Sequence, residues 1–448
     1  MATALVLLLF LSALRNRPKD PTFEGKFASE WCRELLSEDY AERDNARTAL
    51  TTLGERSVPQ LRSLLGRRNG PWEEPLLWLS GAFGFFDYQR LDANVCRIAA
   101  SEVLGMLGPK AEGAASDLVS ALAYDASAAD SERALVRIGT HSIPHLERAL
   151  KAKSASVRSR SARLLREIPS PQDSIIYSLI KVTSDPIAAV RREAASSLGA
   201  KLPVQSLSES TRLAISESLL AAARDGDSEV RAAAMRALGN SVAAQRSIID
   251  ALHVGLKDQF PGVTLEAARS MWRLNQPASE IVPPLIAILR TSERWRAAYA
   301  LGEMGTNAAP AVNALTELLE NERVPRPFRT PPSSAFALGR IGSTAVPVVA
   351  ELLKSSEAGV RMNALMAIGF MGEAGRGAVP QLMKLLSDKE SEVRHTAALT
   401  LASVGADPDQ IIPGLSDCLQ AEDIYMRSAA AAHLRHIAPH QTWLIPGE

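Results

Sequence analysis

The 448-residue chain carries 50 basic and 50 acidic residues, so its formal net charge is zero and its pI lies near 7.1. Such a length exceeds one ordinary globular core and calls for several domains or a repeat array. The charge balance excludes a protein whose main task is to neutralise phosphates, which disfavours nucleic acid as the main partner. Aromatics make up only 5 % while Ala, Leu and Val abound, a composition suited to closely packed helices rather than sheets.

The chain opens on an uncharged apolar run, Ala2 to Leu14, followed by Arg15, Arg17 and Lys19. As a helix it spans about 20 Å, short of the ~30 Å hydrocarbon core of a bilayer. A basic segment ahead of it and an A-x-A cleavage site are both missing. Residues 1–20 are read as a hydrophobic leader or membrane anchor, a start codon placed too late accounting for the missing charges. The basic residues on its C-terminal side favour keeping that side in the cytoplasm. Membrane association is therefore expected through residues 2–14. A capping segment over 21–39 follows, then a repeat array over 40–440 with inserts at 66–92 and 321–333, and a tail over 441–448.

The array rests on one recurring phrase, "DSEVRAAAMRALGN" at 227–240 being the clearest copy. Taking Arg231 as a marker and aligning the Ala and Leu-Gly that follow, the series runs Arg158, Arg191, Arg231, Thr264, Arg294, Pro331, Arg361, Arg394, Arg427. Fainter copies lie around Arg47, Arg97 and Ser131. A period near 30 to 40 residues is a solenoid signature. Val230, Ala233, Ala234, Ala237 and Leu238 share one helical face. Asp185 and Pro186 suit the N-cap and first turn of the equivalent helix. Gly199, Gly239, Gly302, Gly339 and Gly369 are expected at left-handed helix stops. A second apolar run then begins near a proline, as in "VPQLRSLL" from Val58, "IPHLERAL" from Ile143, "VPQLMKLL" from Val379 and "IPGLSDCL" from Ile412. Each unit is thus a helical hairpin, and stacking supplies the core that no unit makes alone. A group wanted in every unit is structural, so the marker arginines are expected to reach acidic groups or helix-end carbonyls of adjacent units.

The phrases "DSEVRAAAMRALGN" and "VRHTAALTLASVG" resemble HEAT-type repeats, in the short variety also seen in phycobilin lyases. The segment "PTFEGKFASEWCRELLS" at 21–37, through Gly25, Lys26 and Trp31, is similar to the segment preceding such repeats in HEAT-repeat proteins of Verrucomicrobia-like bacteria. The resemblance implies an all-α fold, an α-solenoid of stacked HEAT-type hairpins, and a place at a bacterial cell envelope, with the cytoplasm as the alternative. It implies little about function, since such stacks serve many partners.

Interruptions are where a solenoid puts specificity. In 66–92, Trp72, Leu76, Leu79, Phe83 and Phe86 recur at helical spacing, with Trp78 among them. Two readings stay open, an amphipathic element touching a membrane or partner and an apolar flap sealing the first units. In 321–333, prolines at 325, 327, 331 and 332 prevent a regular helix start, and Arg323, Arg326 and Arg329 surround Phe328. That cluster suits an acidic peptide or phosphate, or is a solvated loop. The run 148–166, "RALKAKSASVRSRSARLLR", is basic without any acid inside it, and is either an anionic-surface binder or a solvated face.

Catalytic chemistry is nearly absent. GxSxG, Walker, strand-associated GxGxxG and HExxH motifs are missing. Cys32, Cys96 and Cys418 lie far apart and make neither a disulfide framework nor a CxxC pair. Cys96 stands where other copies have Val and reads as a small buried hydrophobe. His433, His436 and His440 have helical spacing, but Pro439 interrupts them and no acidic ligand is near. His141 and His145 straddle Pro144. No metal and no cofactor are expected. The expected function is a non-catalytic scaffold, not an enzyme, binding a protein or peptide along its concave surface. Trp72, Trp78, Phe83, Phe86, Arg323, Arg326, Phe328 and Arg329 are its candidate contacts. The alternatives are a tetrapyrrole-handling protein like the phycobilin lyases, and nucleic-acid binding through 148–166.

Overall fold

A computed structural model describes residues 20–67, 93–169, 173–204, 207–241, 245–322 and 331–437. The chain forms two compact units, Met1–Ala237 and Leu238–Glu448. Each is a stack of helical hairpins, an A helix carrying the repeated phrase and a shorter B helix following it.

The first unit begins with a two-residue antiparallel hairpin, Thr22–Phe23 against Lys26–Phe27. Glu24 and Gly25 turn it with φ of 50° and 78°, the pair of positive angles that a tight hairpin demands. Helix α1 (Ala28–Glu34) follows, started by the Glu30 carboxylate, which accepts the Phe27 N–H at 2.7 Å. Trp31 is buried and its indole N–H donates to the Phe23 carbonyl at 3.1 Å. Lys26 sits over the Trp31 ring and pairs with Glu34 at 2.6 Å. Gly25, Lys26 and Trp31, singled out by resemblance, therefore meet in one knot around the hairpin and α1.

The A helices of the first unit are α2 (Tyr40–Leu53), α4 (Ala93–Leu107), α6 (Asp125–Ile138), α8 (Ala155–Glu167), α10 (Ala188–Lys201) and α12 (Ser228–Leu238, its last residue falling past the unit boundary). Its B helices are α3 (Val58–Leu65), α5 (Ala115–Ala121), α7 (Ile143–Ala149), α9 (Asp173–Val182) and α11 (Glu209–Ala222). In the second unit, B helix α13 (Arg246–Gly255) precedes A helix α14 (Pro261–Arg273). Then come α15 (Ala278–Ile288), α16 (Arg294–Met304), α17 (Val312–Asn321), α18 (Ser333–Ile341), α19 (Val346–Leu352) and α20 (Ala358–Met371). The unit closes with α21 (Val379–Leu385), α22 (Ser391–Ser403), α23 (Pro408–Cys418) and α24 (Ile424–Ile437). Proline falls in the first turn of α3, α7, α19 and α21, where its missing N–H costs nothing. The last expected B helix differs: α23 starts earlier, at Pro408, and carries Pro413 inside it.

Seven residues beyond each marker stands a buried aliphatic side chain: Leu104, Leu165, Leu198, Leu301, Leu338 and Leu401 are all 0 % exposed. Each contributes about 2 kcal/mol of burial, collected only when the next hairpin is present. Cys96 lies in this same core at 0 % exposure, as expected of a small hydrophobe. The small residues of the A helices let those helices pack directly on one another.

The glycines of the Leu-Gly pair are not helix stops. Gly199, Gly302, Gly339 and Gly369 lie inside their helices, and Gly239 just past α12 lacks the positive φ of a stop. A Cβ on Gly199 would stand 2.4 Å from the Ala237 Cβ, and one on Gly339 would stand 2.2 Å from the Phe370 Cβ. Their function is close approach of neighbouring A helices. The true stops come three residues later, at Gly54, Gly108, Gly139, Gly305, Gly342, Gly372 and Gly405, all with positive φ.

That correction also moves two early markers. Arg43, not Arg47, donates Nη1 to the Ser37 and Glu38 carbonyls at 2.7 and 2.8 Å, as later markers do to theirs. Arg47 reaches forward to Glu102 instead. Ala128 replaces Ser131, because Gly139 is a stop and not a Leu-Gly glycine.

The marker arginines do the structural work expected of them. Arg158 grips Asp185 through two hydrogen bonds of 2.6 and 2.9 Å, and its Nη1 donates to the Ala152 and Lys153 carbonyls. Arg191 grips Asp225 the same way at 2.7 Å, while its Nη1 donates to the Asp185 and Pro186 carbonyls. In the second unit Arg361 holds Asp388 at 2.7 Å, and Arg394 donates to the Asp388 and Lys389 carbonyls. Each aspartate turn is thus clamped by one arginine on its carboxylate and the next on its carbonyl. Asp185 also accepts the Ile187 N–H at 2.9 Å. It is therefore not the N-cap of α10, which is Ile187, but a turn brace one step earlier. Arg294 departs from the rule and stands exposed.

Candidate interaction surface

The eight contacts expected from sequence all lie outside the described residues: Trp72, Trp78, Phe83 and Phe86 in 68–92, and Arg323, Arg326, Phe328 and Arg329 in 323–330. So do residues 2–14 and His440.

The basic run 148–166 finds its acids on neighbouring helices. Arg158 takes Asp185, Arg160 takes Asp125 at 2.7 Å, Arg163 takes Glu132, and Arg166 approaches Glu193 at 3.8 Å. Arg148 bonds the Pro144 carbonyl and the His145 ring. A run without internal acid is thereby largely neutralised, and it offers no continuous track for a phosphate backbone.

Among the described residues no group of three His, Cys, Asp or Glu side chains is placed to hold an ion. His433 and His436 share α24, and burial, then the neighbouring His436, pushes the His433 pKa down. His141 faces Glu112 at 3.5 Å. A shallow groove near His145 and Arg148 is otherwise lined by Ser116, Ser120 and small apolar residues, and another brings Glu112, His141 and His145 together. Burial first, then Asp20 for Cys32 and Asp417 for Cys418, pushes both thiols up to about 12, so neither is a nucleophile at neutral pH.

What stands out instead is a strip of exposed aromatics on the A helices of the second unit. Trp295 and Tyr299 lie one turn apart on α16 and are 60 % and 47 % exposed. The Tyr299 ring stacks on Phe336 of α18, with centroids 5.1 Å apart and planes 8° from parallel. Phe336 meets the edge of Phe370 of α20 at 6.4 Å, and Phe370 is itself 47 % exposed. The helices come this close because of the corrected glycines: Gly302 touches the Phe336 ring, and Gly339 leaves the room that Phe370 fills.

Register explains why the strip is confined here. Five residues beyond the marker, the first unit places Thr48, Glu102, Arg133, Arg163, Ser196 and Arg236, and the second begins with Arg269. From α16 onward the same position holds Tyr299, Phe336, Met366 and Leu399. Charged side chains there bridge successive helices, as in Arg47–Glu102, Arg163–Glu132 and Arg269–Glu303. Apolar ones bridge them by ring contact and leave an apolar surface facing water. In a chain with 5 % aromatics, four gather on three successive A helices. Sequence reasoning missed it because the rings lie about one repeat apart. For Tyr299 and Phe336 the signal was one column of the repeat alignment.

Among the described residues no single helix is long and apolar enough to cross a membrane. The pair Ser333–Ile341 and Ser343–Leu352 passes that test together but is bent by 113°, being the two arms of one hairpin.

Comparison with known proteins agrees with this architecture. The HEAT-repeat family model matches residues 249–327 and 374–435. No curated protein sequence matches. Among solved structures, yeast importin-β (Kap95p) is similar with a TM-score of 0.58 at 15 % identity, over 92 % of this chain. The same protein in a Kap95:Nup1 complex gives a TM-score of 0.58 at 16 % identity over 92 % of this chain. This chain spans 61 % of the length of either. At such identity the likeness is one of fold. The chain is an all-α protein of the α-solenoid class, built from stacked HEAT-type helical hairpins.

Proposed function

We propose that the protein is a non-catalytic scaffold that binds a protein partner through the exposed face of its A helices between Arg294 and Ser403. The observation that carries this is the aromatic strip Trp295, Tyr299, Phe336 and Phe370, in which Tyr299 and Phe336 stand where every earlier described copy of the repeat has a charged or small polar side chain. Large rigid aromatics provide much contact area at low entropic cost, which is why they dominate binding hot spots. The fold neighbour includes a complex with Nup1, consistent with solenoids of this type carrying protein partners. Attachment to a membrane through residues 2–14 of a bacterial envelope protein belongs to the same proposal, and fractionation of the full chain against one lacking those residues tests it.

A photo-crosslinking amino acid placed at Tyr299 and, separately, at the exposed Tyr177 of the first unit tests the docking surface in native cells. A discrete protein adduct from position 299 that disappears in a Trp295→Ser background, with none from 177, is the expected outcome. Equal adducts from both positions, or none from 299, would remove the reading.

A further inference from the structure

We propose that the segment docking on this strip is acidic as well as apolar: a stretch of a partner protein that presents carboxylates alongside aromatic or aliphatic side chains. This rests on the docking reading above and adds the partner's chemistry. The argument is one of charge. Arg294 immediately precedes Trp295 and is exposed. Arg340 follows Phe336 by one helical turn, directly after the glycine on which Phe370 packs, and is also exposed. Neither forms an ion pair with a described carboxylate, whereas the acids nearby are engaged: Glu303 by Arg269 at 3.5 Å, Glu293 by Arg296 at 2.8 Å, and Asp417 by His395 at 3.1 Å. Buried Glu266 is likewise held by Arg296. In the turn after α20, Arg376 donates to the Gly405 carbonyl at 2.8 Å. Arg294 and Arg340 are thus two exposed cations beside the strip that no described carboxylate pairs.

Two guanidiniums beside an aromatic strip fit carboxylates spaced along a peptide, with apolar side chains between them. A nucleic acid fits less well. Bases bind by stacking on open ring faces, and Tyr299 and Phe336 already cover each other's faces at 5.1 Å. Two unpaired arginines also supply little of the counterion release that holds a phosphate backbone.

The test uses the full-length chain and three fluorescein-labelled probes read by anisotropy. Two are 14-residue peptides with identical Phe and Leu positions, one with Asp and Glu between them and one with Lys. The third is a 14-nucleotide single strand. The acidic peptide is expected to bind at least tenfold more tightly than the Lys peptide, and to lose at least tenfold with Tyr299→Ser. The double variant Arg294→Glu/Arg340→Glu, changed only at exposed positions, should reverse the preference. Equal binding of both peptides, each lost with Tyr299→Ser, overturns the acidic assignment and leaves the docking reading standing. Strip-dependent binding of the oligonucleotide in preference to the peptides, or binding of no peptide at all, overturns both.

Discussion

Replacing Gly339 by Ala sets two effects of opposite sign against each other. In an unconstrained helix interior the change stabilises by about 1 kcal/mol, because glycine loses more backbone freedom on folding. Here the added methyl would stand 2.2 Å from the Phe370 Cβ and 3.0 Å from the Phe370 carbonyl carbon. These are not the far end of a flexible side chain, so no rotamer change relieves them. Carbon atoms need about 3.5 Å, so α18 and α20 must separate by more than 1 Å. Overpacking of this kind costs about 1–3 kcal/mol, and separating the helices also strips contacts from Phe336 and Phe370. The net expectation is destabilisation by about 1–2 kcal/mol. Gly359 is the control: it lies in the first turn of α20 with nothing within 4 Å of an added Cβ, and Gly359→Ala should be neutral or stabilising by up to about 1 kcal/mol. Urea denaturation followed by circular dichroism at 222 nm distinguishes the two. Phe370→Ala should not rescue Gly339→Ala, because alanine keeps the clashing Cβ, whereas Phe370→Gly should relieve the overlap. A Gly339→Ala protein as stable as the parent would refute the close-approach assignment.

Asp225→Ala should cost about 3 kcal/mol, since it strands the mostly buried Arg191 guanidinium. Conversion of Leu213, an exposed residue outside these clamps, to Ser should change stability little by the same assay. Hydrogen bonds from Arg158 and from Arg191 hold the Asp185 and Asp225 carboxyls below the usual carboxylate range. Burial pulls Asp388 upward, but the Glu390 N–H and Arg361 outweigh it and hold it low as well. Folded-state pKa values below the unfolded ones stabilise fully above the unfolded value, roughly pH 4. That stabilisation disappears as pH falls through the folded values, so a urea midpoint that stays flat from pH 7 to 5 and drops steeply below 4 is expected. Cys32 and Cys418, with thiols raised to about 12, and fully buried Cys96 should resist an aromatic disulfide reagent at pH 8 in the native protein. All three should react on unfolding, and rapid native labelling would contradict their burial.

The period, the hairpin and the structural arginine were legible in sequence because stacking demands the same face from every unit. Arg158, Arg191 and Arg361 recur with their aspartates for that reason. The glycines were misassigned because a Leu-Gly pair resembles a helix end when the helix continues for another turn, as from Gly302 to the stop at Gly305. Helix crossings leave no local mark, so Gly199 against Ala237 was legible only in three dimensions. The candidate site was hidden for a related reason. The aromatics conspicuous in one stretch, Trp72 to Phe86, drew attention, while Tyr299, Phe336 and Phe370 sit singly in three repeats and meet only through packing. Charge told a similar story: the run 148–166 is basic along the chain and largely paired across helices.

Nearest-neighbour stacking is most directly tested by ending the chain at Asn321, the last residue of α17. In a linear stack each hairpin leans on the ones beside it, so the shortened protein should keep its helical ellipticity per residue and lose only part of its stability. A fragment that comes out unfolded would mean that the remaining hairpins are held from a distance, and the account of hairpins supported by their neighbours would be wrong.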